Sequence, residues 1–295
     1  MSTRTTEHLH DDAGGLDQRP PAEIASLLAG GQLAAAAMVE HAIPEICAAA
    51  EAMARTIETG GCLHYAAAGS SGLMAAADAQ ELGGTFSIPP SQLRIHMAGG
   101  LPTGVEMPGG TEDDTTGLDE AWAILASKDS MIAVSASGST PFTVAAGRLA
   151  KSAGATLIGI ANNANCPLLS EADHAILLET PPEVLSGSTR MGAGTAQKIA
   201  LNMLSTLMAV HLGHVHDGMM VNVQADNIKL RARACGIVAK IADVSQEVAQ
   251  DALDIAEGDV KTAVLVAAKG MARDAAIARL LDTKGHLRPA LARPA

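Results

Sequence analysis

With 295 residues, 48% of them hydrophobic, the chain is long enough for one large domain, or one domain with a small appendage, and its core can be substantial. Aromatic residues make up only 1%, so the interior must be packed from Ala, Val, Ile, Leu and Met, which argues against base-stacking surfaces for nucleic acid. A net charge of −12 without any dense Lys/Arg run argues against long-range attraction to nucleic acid or anionic lipid, so an anionic ligand must be held by local donors.

In chain order, residues Met1 to Leu16 are polar, lack an apolar core of signal-peptide length, and are expected to be loose. No uninterrupted apolar run reaches the ~18 residues of a membrane span, so no membrane partner and a cytoplasmic location are expected. PPAEIASLLAGG reads as a short helix and the alanine-rich stretch Gln32 to Thr59 as one long helix. Strand candidates follow at Cys62 to Ala68, Leu93 to Met97, Ser130 to Ser135, Thr156 to Ala161 and His174 to Leu178, each separated by a segment that could be helical. Such alternation predicts an α/β fold with a doubly wound parallel sheet.

From Gly187 onward the pattern is mostly helical. The tail carries helical spacing at Ser245 to Ile255, Val260 to Ala268 and Ala272 to Leu281, a small C-terminal helical appendage, so domains 1–242 and 243–295 are expected. Cys47, Cys62, Cys166 and Cys235 lack CxxC spacing, which indicates neither a zinc ribbon nor a redox pair, and they read as scattered buried thiols. His214-Val215-His216 reads as a turn after a long helix, since two imidazoles alone do not complete a metal site. No metal and no cofactor are expected.

Three turns carry the chemistry. AAGSSG at Ala67 to Gly72 lies between an apolar run and a helix-compatible stretch, Leu73 to Leu82. SASGSTP at Ser135 to Pro141 is followed by Phe142 to Ala153, and EVLSGSTRMGAGTAQK at Glu183 to Lys198 leads into the apolar helix Ala193 to Leu212. Helix N-termini expose unpaired N–H groups and partial positive charge, and such turns cluster at the carboxyl ends of parallel strands. A plain Ser/Thr cap explains any one of them; three together favour an anion site. None matches the dinucleotide fingerprint or the nucleotide loop, so the expected ligand is a smaller phosphorylated molecule, a sugar.

The Ser/Gly turns resemble those of sugar isomerase-type phosphosugar-binding domains, whose fold is a flavodoxin-like sandwich. PEVLSGSTRMGAGTAQK resembles the signature shared by bacterial N-acetylmuramic acid 6-phosphate etherases and the animal glucokinase regulatory protein. The resemblance continues through DAQELGGTF, GGTEDD and NVQADNIKLRARACGIV, and the length fits the bacterial etherase. It implies a cytoplasmic lyase that cleaves the D-lactyl ether of that phosphorylated amino sugar, giving N-acetylglucosamine 6-phosphate and D-lactate in cell-wall recycling. It also implies a homodimer in which one chain completes the other's pocket.

Such a reaction needs a base for the proton alpha to a carbonyl and an acid for the departing oxygen. By resemblance these are Glu81, in DAQELGGTF, and Glu112, in GGTEDD, with Glu81 protonating the ether oxygen and later activating water while Glu112 takes the alpha proton; the two roles can be exchanged. Phosphate contacts fall to Gly69, Ser70, Ser71, Ser137, Gly138, Thr140, Ser186, Ser188 and Thr189. The chain departs from the family at Gly83 and Gly84, where two prolines are usual, which predicts a more flexible loop after Glu81. It departs again at Gly192, usually Lys, and at Leu73 and Ser139, usually Arg, which removes three cations from one neighbourhood. A phosphosugar sensor without catalysis, a divergent paralogue acting on another phosphosugar, and an aldose–ketose isomerase stand as alternatives.

Overall fold

Runs of small and β-branched residues, bounded by polar turns, pair into one parallel sheet. The computed structural model describes residues 4–107, 109–116, 118, 122–225 and 227–293. Its strands are β1 (Leu63–Ala67), β2 (Leu93–Met97), β3 (Ser130–Ser135), β4 (Thr156–Ala161) and β5 (His174–Leu177), in the spatial order β2-β1-β3-β4-β5. Every pairing is parallel, with Leu63 opposite both Leu93 and Ser130. β1 and β3 are buried at every residue, as a parallel sheet covered on both faces requires. The α/β expectation holds, and each strand lies within one residue of its sequence-predicted limits.

The chain packs as two compact units, the first holding the described residues of 1–80 and 90–205 and the second those of 81–89 and 206–295. Its helices begin with α1 (Pro21–Ala37), α2 (Ile43–Glu58), α3 (Gly69–Phe86), α4 (Pro141–Ser152), α5 (Pro167–Glu171) and α6 (Gly192–His211). In the first unit α2 lies against β1, β3 and β5 and buries Ile46, Ala49, Ala50 and Met53. Helix α4 packs Phe142, Ala146 and Ala150 into a core with Met131, Ala133 and Leu157.

A single helix from Gln32 to Thr59 is not what forms. Gly30 and Gly31 sit inside α1, and the break comes later, as a 3-10 segment at Met38–Ala42 ahead of Pro44. Proline lacks the N–H that a helix interior needs and its ring excludes the carbonyl four residues earlier, so the chain tightens and restarts. The stretch 21–58 contains an 18-residue window of mean hydropathy 1.4, long and apolar enough by length and composition to span a membrane, although it is no uninterrupted apolar run, since Glu23, Gln32 and Glu40 lie in the stretch. The 3-10 break with Glu40 divides the stretch.

The start of the chain is also more ordered than expected, forming 3-10 turns at Thr5–Glu7, Asp11–Ala13 and Leu16–Gln18. Thr6 is buried, and Asn163 Nδ2 donates to its Oγ1 at 3.0 Å. The deepest polar tie of this unit is Asp78 on α3. Its carboxylate accepts from Tyr65 of β1 at 3.0 Å, and from Asn202 and Ser205 of α6 at 3.0 and 2.9 Å. Burial, followed by the Asp78 charge, pushes the Tyr65 hydroxyl well above its usual range.

The second unit holds a two-residue hairpin, β6 (Val215–His216) with β7 (Met219–Met220), and helices α7 (Ile228–Ala242), α8 (Gln246–Ile255), α9 (Val260–Lys269), α10 (Arg273–Asp282) and α11 (Leu287–Ala292). Ser245 and Asp259 accept amide hydrogens as N-caps of α8 and α9, the usual way a polar residue stabilises a helix start. Helices α7, α8 and α9 pack on one another around Val238, Ala249, Leu253, Val264 and Leu265. The three expected tail helices are present, but α7 shares their core, so this unit reaches further back than residue 243.

One buried and one half-buried base lie in this unit. Lys261 is 6% exposed and donates to the Gly285 carbonyl at 2.9 Å, and burial lowers its ammonium to about 8 from 10.5. Burial, with Lys261 second, lowers His214 from 6.5 to about 4. In both cases the unfolded chain holds the proton more tightly, so unfolding takes up a proton between the two values and stability rises with pH across each window. Thermal melts are therefore expected to gain stability from pH 8 toward 10.5 by ~1 kcal/mol per pH unit through Lys261. Lys261→Met should flatten that upper slope and lessen, without abolishing, the loss of stability between pH 6.5 and 4, because burial remains the larger cause of the His214 shift.

Candidate active site

The strand order places the first two turns side by side. From β1 the chain moves outward to β2 and then returns to β3 on the other flank, so the carboxyl ends of β1 and β3 form the switch point at which ligands bind in open α/β sheets. The first turn runs straight from β1 into α3, which starts at Gly69 with φ of 55°. Ser71 is buried and Ser70 half-buried.

In the second turn Ser135 Oγ acts as a hub. It bonds Thr140 Oγ1 at 2.8 Å and Ser137 Oγ at 3.3 Å, and accepts from the Gly138 amide at 3.0 Å. Ser137 Oγ in turn accepts from the amide and hydroxyl of Ser139, both at 3.2 Å. Gly138 has φ of 66°, and a Cβ there would lie 2.1 Å from Cys166 Sγ, so only glycine fits.

Glu112 joins these two turns. The Phe142 amide, in the first turn of α4, donates to the Glu112 carbonyl at 3.0 Å, and a Cβ built on Gly69 would lie 2.6 Å from Glu112 Oε1. The backbone of Glu112 thus caps α4 while its carboxylate faces the first turn across a glycine. Glu112 is an exposed residue, so the carboxylate is open to a ligand.

The third turn differs from what the sequence suggested. The amides of Gly192 and Ala193, which open α6, both donate to the carboxylate of Glu183 at 2.9 Å, so the helix end is filled by an anion of the chain's own. Ser186 is exposed and Ser188 and Thr189 are half-buried ahead of that end; their hydroxyls remain, but the leading amides of α6 are taken. Gly192 has its own packing reason, because a Cβ there would meet Ala35 at 3.0 Å and Glu183 at 3.1 Å.

Glu81 stands in the last turns of α3 with its side chain exposed. The predicted flexible loop after it does not form. Without the two prolines α3 runs on through Gly83 and Gly84 to Phe86, and the Gly84 carbonyl accepts the Gln224 amide at 3.3 Å.

Asn163, Glu179 and Arg4 are residues that sequence reasoning passed over. They line a cavity of about 390 Å³ together with Ser137 and Ser139. Asn162 and Asn163 follow β4 directly, and a polar pair at the carboxyl end of a buried strand was the available signal. Asn163 Nδ2 donates to the Ala136 carbonyl at 2.8 Å, and Gln197 of α6 donates to Asn162 at 2.8 Å, linking the second turn to α6.

A family model described as the SIS domain matches residues 31–162. The N-acetylmuramic acid 6-phosphate etherase of Deinococcus radiodurans is 41% identical over 292 residues, 98% of this chain and 95% of the relative. The enzyme of the same name from Streptomyces avermitilis is 40% identical over 99% of this chain and 94% of the relative. Among solved structures, a protein of Escherichia coli CFT073 superposes with a TM-score of 0.51 at 15% identity, covering 68% of this chain and 97% of that one, a likeness of fold.

Gly69→Ala tests the placement of Glu112. The added methyl must displace Oε1 by most of an ångström from a 2.6 Å approach, and if Glu112 acts on the ligand a misplacement on that scale costs roughly 100-fold in rate. The expected outcome is a fall of about that size in turnover with the melting temperature lowered only slightly; unchanged turnover would show that Glu112 is not held against Gly69.

Proposed function

This chain belongs to the N-acetylmuramic acid 6-phosphate etherase family, and we propose that it is a carbon–oxygen lyase cleaving the D-lactyl ether of N-acetylmuramic acid 6-phosphate to N-acetylglucosamine 6-phosphate and D-lactate in cell-wall amino sugar recycling. The observation that carries this is the carboxylate of Glu112 set against Gly69 between two serine-rich turns at the switch point of the sheet. A base beside an anion-binding turn suits removal of a proton from a phosphorylated sugar.

In this scheme the ring opens to its aldehyde, whose carbonyl acidifies the adjacent C–H. Glu112 takes that proton, the C–O bond to lactate breaks, and Glu81 protonates the departing oxygen to leave an α,β-unsaturated aldehyde. Glu81 then activates water for addition at the same carbon, and the alpha proton returns. The phosphate is held by hydroxyls of Ser70, Ser71, Ser137 and Thr140, with Ser186, Ser188 and Thr189 at the rim, while Gly69 and Gly138 let backbone approach it.

The working form is a homodimer. Leu33 on α1 is 73% exposed on a helix that is largely apolar, so a second copy has a surface to cover. Glu81, exposed at the end of α3, is then available to the neighbouring chain. The compartment that fits is the cytoplasm, where the four unpaired cysteines stay reduced.

Purified protein incubated with N-acetylmuramic acid 6-phosphate should release D-lactate, and Glu81→Gln and Glu112→Gln should each lower the rate by about 10²–10⁴-fold. Saturable binding without lactate would replace the lyase by a sensor. Mixing the two inactive variants should restore activity if the carboxylates serve one site from different chains; no recovery on mixing would place both in one chain.

A further inference from the structure

At the end of the sheet opposite the serine turns, strand pairing assembles three ligand-type side chains that are far apart in sequence. Cys62 immediately precedes β1, two residues before His64 and on its side of the chain, and Asp129 immediately precedes β3, which pairs with β1 at Leu63 and Ser130. The Cys62 thiol, a His64 ring nitrogen and an Asp129 carboxylate oxygen all lie within 4.8 Å of one another. His64 is 1% exposed and Asp129 is 3% exposed, whereas Cys62 is half-buried.

The second observation is His64 Nε2, which is buried and has no hydrogen-bond partner. Its charged neighbour, Asp129 Oδ2, is 3.6 Å away, beyond hydrogen-bond reach. The other nitrogen, Nδ1, is 3.0 Å from His96 Nε2, and the two rings stack with centroids 5.3 Å apart. In the tautomer that donates Nδ1–H to His96, Nε2 presents its lone pair toward the Cys62 thiol and the Asp129 carboxylate. A buried polar atom left in that state costs free energy, and a cation between the three groups removes the cost.

We propose that Cys62 Sγ, His64 Nε2 and the Asp129 carboxylate bind one zinc ion, with water in the fourth position on the half-exposed Cys62 side. Nitrogen, sulfur and oxygen donors together suit zinc, and hard oxygen-seeking cations would not choose the thiol. His96 is the orienting partner that fixes the tautomer of the ligating histidine. On binding, the Cys62 thiol gives its proton to solvent and the sulfur–zinc bond forms in place of its bond to the Ser91 carbonyl, now 3.3 Å long. Asp129 keeps its bonds from the Cys62 and Ala126 amides, both 2.8 Å, so the ion joins the starts of β1 and β3 without undoing the strand ends.

The test is titration of chelator-stripped, full-length protein with zinc chloride and, in parallel, cobalt chloride. One zinc per chain is expected, with a higher melting temperature that chelator reverses, and cobalt should give a thiolate charge-transfer band. Cys62→Ser should abolish that band and weaken zinc at least tenfold; this position is half-exposed, so the variant should fold. His96→Gln, which touches no metal, should weaken zinc by roughly 10–100-fold through the tautomer of His64. Lack of zinc binding by the wild type, or equal zinc affinity and cobalt spectra in wild type and Cys62→Ser, would overturn the site. Lactate release is not used as the readout, so failure here leaves the lyase proposal untouched.

Discussion

The buried carboxylate of Asp78 is the constraint on which the first unit depends. It sits on α3 and receives hydrogen bonds from β1 and α6, so one charged group fixes the strand, the helix that follows it and the helix that closes the unit. A carboxylate removed from water is tolerated only when its lone pairs are satisfied, and each bond to a charged acceptor contributes about 1.5–3 kcal/mol. That requirement gives α3 and α6 a defined rotation as well as a position. An apolar contact could bury the same surface without choosing which residues face each other. The Ser/Gly turns at the heads of these helices inherit their geometry from it.

Negative charge is managed elsewhere by the same means. With a net charge of −12, the protein cannot attract a phosphate by its overall field. Local amide groups must supply the attraction, and at α6 they are already committed to Glu183. The second turn at the switch point keeps its hydroxyls bonded to one another, and the Glu112 carboxylate lies against Gly69 of the first. A carboxylate of the chain thus caps α6 through its backbone amides, an arrangement distinct from that of the two turns at the switch point.

Much of this was legible in the sequence. Fully buried parallel strands must be continuous apolar runs, so β1 to β5 announced themselves, and glycine- and serine-rich breaks after β1 and β3 marked where helices begin. Glu112 stood out only through the family resemblance, because an acid beside Asp113 and Asp114 is otherwise an ordinary helix-start charge. The long helix failed for a local reason that was present in the sequence, Pro44, whose effect outweighs the helical preference of the alanines around it. The anchoring of Thr6 could not have been foreseen, since it depends on Asn163, more than 150 positions away.

The amino-acid sequence by itself determined the sheet, its helical connections and the chemical character of the turns, because burial period and backbone preference act over a few neighbouring residues. Which acid serves which turn was decided by tertiary structure alone. Glu183 and Glu112 are both carboxylates near a helix start, yet one is folded back onto its own helix and the other is presented across Gly69 to a neighbouring strand's turn. The same holds for Cys62, His64 and Asp129, which become neighbours only when β1 and β3 pair. Hydrogen-bond distance and the pairing of distant strands are properties of the folded chain, and no local pattern of residues encodes them.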